Sequence, residues 1–192
     1  VIGYYLIAQD IAGTPNLGST PSGVVATDVN TVTTAPTAST YTVVSTLSSN
    51  TYAVGVGGDF ATLTDAVTAY NNSCLDGPVI FSLTDLLYNE SVTILNNADA
   101  SAVNSLFIQP VNPGTVISGN AATGTIRMSG ARFVIVDGSP DGLGGYVSGD
   151  NMVVRNTLGT APAIQLINET NNCTVRWADL QSNNSGATAT AN

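Results

Sequence analysis

Nine short apolar runs between residues 79 and 177, each bounded by Gly, Asn, Asp or Ser, constrain this chain more than any other feature. They lie at 79–83, 91–95, 105–109, 115–118, 125–128, 133–136, 152–155, 163–167 and 173–177, and runs so short and so bounded read as strands. A meander of hairpins would place two-residue Asn-Gly or Asp-Gly turns between them. The two pairs that qualify, Asp137-Gly138 and Asp141-Gly142, share one long loop instead. The runs also repeat. Thr125-Ile-Arg-Met with Phe133-Val-Ile-Val is echoed 38 to 40 residues later by Ala163-Ile-Gln-Leu with Cys173-Thr-Val-Arg-Trp, and Met152-Val-Val-Arg-Asn lies between. Three short strands per repeat, joined at Asn and Gly corners, predict an all-β chain wound as a three-sided parallel β-helix. Ile126, Met128, Val134, Val136, Met152, Val154, Ile164, Leu166 and Val175 are its predicted interior, and a Gly-rich insert at 138–150 explains the extra length of one turn.

Such a stack needs a cap at an open end, and the sequence supplies one convincing helix. Over residues 60–71, Leu63, Ala66, Val67 and Tyr70 recur at helical spacing, with Thr62 placed as N-cap and Asp65 three residues on. Coils are expected over about 79–180 and a single domain over 51–192. Residues 1–50 have another texture. Residues 31–40 read Thr-Val-Thr-Thr-Ala-Pro-Thr-Ala-Ser-Thr, and a Thr/Ser/Pro-rich tract of this kind predicts an extended arm or linker. The opening nine residues are strong β formers. They read as a lone edge strand, the tail of a preceding domain, or a strand donated to a neighbour; in the last case Val1, Ile2, Tyr4 and Leu6 carry assembly. The far end, 173–192, is expected to expose unpaired strand edges that a further coil, a cap or a partner would cover.

The charge balance narrows the chemistry. Four cationic residues, all arginine, face 13 acidic ones for a formal charge of −9, and the chain has neither lysine nor histidine. Schiff-base and P-loop lysines, histidine general bases, Ser-His-Asp triads and histidine-ligated zinc are therefore excluded within it. Nucleic acid is not an expected partner, because phosphate neutralisation takes clustered Lys and Arg. Ser, Thr and Asn make up 61 of the 192 residues, a lysine-free polar composition that suits an extracellular surface. The apolar opening at residues 1–8 is far short of the ~20 residues that span a bilayer. No basic leader precedes it, so the chain reads as a processed product or a segment of something longer. Triplets N-x-S/T begin at Asn71, Asn89, Asn168, Asn172 and Asn183; chance explains most of them in this composition, and the remainder are glycosylation candidates. Cys74 and Cys173 should lie two or three coils apart, about 10–15 Å at ~4.8 Å per coil. That exceeds the ~7 Å reach of a disulfide and predicts two free thiols.

From Tyr52-Ala-Val-Gly-Val-Gly-Gly-Asp-Phe-Ala-Thr-Leu-Thr-Asp-Ala-Val through Gly77-Pro-Val-Ile-Phe and Tyr88-Asn-Glu-Ser-Val-Thr-Ile, the chain resembles the start of right-handed parallel β-helices of the pectin-lyase-like superfamily. Phe133-Val-Ile-Val-Asp-Gly-Ser, Met152-Val-Val-Arg-Asn-Thr and Asn171-Asn-Cys-Thr-Val resemble coils of very large surface proteins exported by gliding bacteria through the type IX pathway. The resemblance covers about residues 50–182 and implies an extracellular, often adhesive or sugar-contacting protein. The opening is also similar to pectin methylesterases, but no stretch matches their catalytic Asp, Gln and Arg, nor the calcium-binding aspartates of pectate lyases. No catalytic residue is carried over.

Three residue sets remain as candidates. Asp137, Asp141 and Asp150 share the Gly-rich loop, where hard cations such as Ca²⁺ find oxygen ligands; the competing reading is a solvated loop of Asx-turns, and no other cofactor is expected. Arg127, Arg155 and Arg176, on one exterior face, would bind acidic sugars through their planar forks, against scattered solubilising charge. Trp177 with Tyr146 would form an aromatic platform for sugar rings, against simple packing. The sequence leaves catalysis undecided and inclines against it. It points to a structural or adhesive extracellular module, a stalk or filament subunit at the cell surface. Its partners would be copies of itself, further domains of a larger protein, or glycans. The alternative is a carbohydrate-active or carbohydrate-binding domain acting on acidic polysaccharide.

Overall fold

A computed structural model describes residues 2–11, 16–24, 26, 28–41, 43–142 and 144–183. The chain divides into two compact units, Val1–Val44 and Ser45–Asn192. In the first, β1 (Ile2–Tyr4) is followed by β2 (Leu6–Gln9), β3 (Leu17–Thr20) and β4 (Ser39–Tyr41). Strand β1 pairs antiparallel with β4, and β2 with β3. The Asp10 carboxylate closes the β2–β3 hairpin by accepting the Asn16 backbone and side-chain N–H groups, each at 2.9 Å. The expected extended arm is therefore corrected. Threonine and valine are β formers, and in this segment they pair locally. Ile2, Tyr4 and Leu6 remain 46%, 52% and 63% exposed, so these pairs are held by backbone bonds rather than by a buried core.

The second unit opens with β5 (Thr46–Leu47) and β6 (Asn50–Val54), then α1 (Leu63–Asn72) and β7 (Cys74–Leu75). Next come β8 (Val79–Leu83), β9 (Leu87–Tyr88), β10 (Val92–Leu95), β11 (Leu106–Pro110) and β12 (Val116–Gly119). The remaining strands are β13 (Ile126–Ser129), β14 (Val134–Asp137), β15 (Val153–Asn156), β16 (Ile164–Ile167), β17 (Thr174–Arg176) and β18 (Asp179–Ser182). Three parallel sheets dominate: a five-stranded one in the order β17-β14-β11-β8-β6, a four-stranded one β18-β15-β12-β9, and a three-stranded one β10-β13-β16. A short parallel pair, β5 with β7, accompanies them.

These pairings correct the expected all-β, right-handed parallel β-helix. Among the described residues the strands are mostly parallel, in separate sheets with open edges, with two antiparallel pairs and one α-helix. The departure lies in the local pairing of the first unit's strands, which is antiparallel, and in the ten residues given to α1, while the corners set the sheet that each later strand enters. Phe133 and Asn172 precede β14 and β17 with φ of 54° and 53°, and Gly130 and Asn168 follow β13 and β16 with φ of 67° and 54°. Left-handed residues at these positions turn the chain out of one ladder before the next begins. Consecutive strands thus enter different sheets.

Alternation along each strand builds the core. In register, Phe81, Ile108 and Val136 face inward on the five-stranded sheet, Ile94 and Met128 on the three-stranded sheet, and Tyr88, Ile117 and Val154 on the four-stranded one. All of these are buried. Phe81 packs against Tyr52 and Phe60, with ring centroids 6.4 and 5.8 Å away.

Helix α1 adds Leu63, Ala66, Val67 and Tyr70 to the same core. Its start is doubly satisfied. The Asp65 N–H donates to Thr62 Oγ1 at 3.0 Å, and the Glu90 carboxylate accepts the Leu63 and Thr64 N–H groups at 3.1 and 2.7 Å. A carboxylate at a helix N-terminus answers orphan donors and the helix dipole together. At the other end Asn71 donates to the Thr93 carbonyl at 2.8 Å and accepts the Leu95 N–H at 2.9 Å, which covers the outer edge of β10. Among the described residues, no helix is long and apolar enough to cross a membrane.

Burial of Tyr70 has a measurable consequence. It pushes the hydroxyl from its ordinary value of 10.0 up to about 12, with the charge of Cys173 adding to the effect. The folded state thus favours the neutral phenol. Its stabilisation is fully present below pH 10 and is lost as pH rises towards 12. A difference of that size is on the order of 3 kcal/mol. In an alkaline titration followed by circular dichroism, Tyr70→Phe is expected to unfold at a higher pH than the parent chain. An unchanged midpoint would remove Tyr70 from alkaline unfolding.

Candidate functional site

The sequence candidates are best located by asking what each side chain touches. Asp137 closes β14 with its side chain only 1% exposed. Its Oδ2 accepts Arg176 Nε at 2.8 Å and lies 2.7 Å from Nη2, while Oδ1 accepts the Ser139 hydroxyl at 2.6 Å and the Ser139 N–H at 3.0 Å. Both oxygens are therefore engaged within the protein. Asp141 lies in the short 3-10 turn Pro140–Gly142. Asp150 is exposed, and its backbone bonds Gly114 and Val147. Among the described residues, no group of three or more His, Cys, Asp or Glu is placed to hold a metal ion.

Asp137 belongs to a clasp that shapes the loop between β14 and β15. Ser139 Oγ also accepts the Gly144 N–H at 3.1 Å. Asn151, 1% exposed, donates to the carbonyls of Gly138 and Gly145 and accepts the Val147 N–H. Tyr146 donates its hydroxyl to Asp179 Oδ1 at 2.6 Å, which ties the loop to β18 and raises the tyrosine pKa. Gly138 allows two corners to stack: a Cβ there would collide with the Trp177 carbonyl oxygen and lie 2.6 Å from Ala178 Cα. A cavity of about 170 Å³ opens between Pro113, Pro140 and Val147. That is below the roughly 300 Å³ at which small-molecule pockets begin, and its buried polar groups, Ser139 and Asn151, already have partners.

The three arginines do not share a face. Arg127 is on β13, Arg155 on β15 and Arg176 on β17, one in each parallel sheet. Arg176 is held by Asp137, and exposed Arg155 reaches Ser118 Oγ at 3.3–3.4 Å. Arg127 stands beside Gln165 in register, where Arg127 Nε and Gln165 Oε1 are buried without a hydrogen-bond partner. The shared acidic-sugar face is thus divided among three sheets, because the corners and the 138–150 insert carry each successive arginine onto another one. Tyr146 and Trp177 are both exposed, at 51% and 42%, on segments joined by the Tyr146–Asp179 bond. Of the assembly set, Val1 lies outside the described residues, Ile2 and Tyr4 are in β1, and Leu6 is in β2. Cys74 and Cys173 are free, and burial pushes the Cys173 thiol up.

The side chains that strand alternation placed inside, but that end exposed, mark a different surface. The inward columns terminate at Leu166 on β16, Val175 on β17 and Leu180 on β18. Their inner neighbours Met128, Val136 and Val154 are 0% exposed, whereas Leu166 is 52% and Leu180 53% exposed. Ile164, Cys173 and Val175 are partly buried against the same core. Strands β16, β17 and β18 are also the outer strands of all three parallel sheets, so apolar side chains and strand edges coincide at one end. Sequence reading found Leu166 and Val175 as interior residues but missed β18, since Ala178-Asp179-Leu180-Gln181 carries a single large apolar residue.

No family model, curated protein or solved structure matches this chain.

Proposed function

We propose that this chain is a structural or adhesive module of an extracellular stalk or filament, assembling through the end formed by β16, β17 and β18. The observation that carries this reading is the coincidence, at one end, of exposed Leu166 and Leu180 with the outer strands of three parallel sheets. Unpaired edges and apolar surface together are a template for further polypeptide. The lysine-free, Ser/Thr/Asn-rich composition and the resemblance of residues 50–182 to exported surface proteins support an extracellular setting. Electron microscopy and light scattering of the purified chain test the reading. Particles larger than one chain are expected, and Leu166→Lys with Leu180→Lys should disperse them. Single chains at every concentration would overturn it.

A second reading, carbohydrate binding, draws on the exposed pair Tyr146 and Trp177. Because Trp177 is the single tryptophan, a fluorescence change on titration with acidic polysaccharide would favour it directly.

A further inference from the structure

We infer that the outer face of the three-stranded sheet carries a binding site for a tetrahedral oxyanion, a phosphate or sulfate group, centred on Arg127. Strand β13 is the middle strand of that sheet, with β10 on one side and β16 on the other. Ile126 and Met128 are 0% exposed and point into the core, so Arg127 between them stands on the opposite face. In register beside it are Thr93 on β10 and Gln165 on β16. A hydroxyl, a guanidinium and a carboxamide thus form one row across three strands, at ~4.8 Å spacing.

What sets this row apart is a missing counter-charge. The chain has 13 acidic residues for four arginines. Arg176 takes the Asp137 carboxylate, yet among the described residues the Arg127 side chain has neither an ion pair nor a hydrogen bond. Arg127 is half-buried, and its Nε is closed off from solvent without a partner, as is Gln165 Oε1 beside it. Taking a cation part-way out of water without compensation costs free energy. An anion bound from outside supplies the charge that the chain does not. The polar atoms of the pair that stay open to solvent, Arg127 Nη1 and Nη2 and Gln165 Nε2, are all donors. Thr93 adds a hydroxyl that has no partner among the described residues. Donors around a fixed positive charge select an oxyanion, and the planar fork of arginine matches two of its oxygens. Three donor groups exceed the two oxygens of a carboxylate and suit a tetrahedral group. The net charge of −9 opposes anions at long range, but at physiological salt screening acts within about 8 Å and leaves the local guanidinium to decide.

With only four arginines in the chain, their Nε–H signals in a proton–nitrogen correlation spectrum give a selective readout. The isotope-labelled full chain is titrated with sodium phosphate, sodium sulfate and sodium acetate, at ionic strength held constant with sodium chloride. The Arg127 Nε–H signal, identified by its loss in Arg127→Gln, is expected to shift saturably with phosphate and sulfate. The signals of Arg132, Arg155 and Arg176 should shift several-fold less. Acetate should bind roughly tenfold more weakly than phosphate, and Gln165→Leu should weaken phosphate by about the same factor. Phosphate should also raise the melting temperature of the parent chain and not that of Arg127→Gln. Arg127→Lys, which keeps the charge and loses the fork, identifies the signal if the glutamine variant does not fold. Acetate binding as tightly as phosphate would overturn the tetrahedral assignment. Four arginine signals moving in parallel, or none moving, would overturn the site.

Discussion

Replacing Arg176 with leucine is expected to lower the unfolding free energy by about 3 kcal/mol and the melting temperature by roughly 6–12 °C. The effect arises on the partner. Asp137 is buried, and Arg176 supplies both contacts to its Oδ2, at 2.7 and 2.8 Å. Without the guanidinium, an anion stays buried with Ser139 alone to answer it. Arg176 itself is 47% exposed in its side chain, which places the loss at the lower end for a buried pair. Asp137→Asn added to Arg176→Leu should recover about 1 kcal/mol, because a neutral amide costs less to bury unpaired than a carboxylate. Urea midpoints at constant m-value measure both. A double variant no more stable than Arg176→Leu would show that the arginine acts by packing alone. The loop at 138–151 should also exchange its amides faster in Arg176→Leu, since Asp137 links β17 to that loop through Ser139.

Phe81→Ala should be costlier still, at about 4 kcal/mol, with a drop in melting temperature of roughly 8–16 °C. Phe81 is 0% exposed, sits in register between Tyr52 and Ile108, and contacts the rings of Tyr52 and Phe60. Truncation leaves a void among side chains anchored in two neighbouring strands, which cannot close on it without disturbing the ladder. Phe81→Leu refills most of the space and should lose only about 1–2 kcal/mol. Thermal unfolding of the two variants separates these outcomes. A loss below about 1 kcal/mol for Phe81→Ala would mean that the site collapses around the deletion.

Both predictions concern the interior, and the interior is where sequence and structure agree most closely. Strand alternation is a local property: Ile126 and Met128, or Val134 and Val136, must point to one side whatever the sheet does. The runs at 79–83, 106–110 and 126–129 were therefore legible to within a residue or two, as was α1 behind its Thr62 cap. The first unit was harder to read. Its Thr-rich texture matches both a linker and a set of short strands, and only the pairing of Ile2–Tyr4 with Ser39–Tyr41, across more than thirty residues, separates the two.

What the sequence by itself determined is the position of nine strands of the second unit, the helix start, most of the inward side chains, and the absence of histidine and lysine chemistry; each follows from residue identity and short-range periodicity. What only the tertiary structure decided is which distant groups meet. Whether Asp137 faces a cation or Arg176, whether three arginines share a face, and whether Leu166 and Leu180 find cover all depend on where each corner delivers the next strand. Arg176 reaches Asp137 because β17 pairs with β14 in a register that sets one beside the other, 39 residues apart in the chain. Alternation assigns a side to a residue, but long-range pairing assigns it a neighbour, and the chemistry of a carboxylate or a leucine is decided by the neighbour.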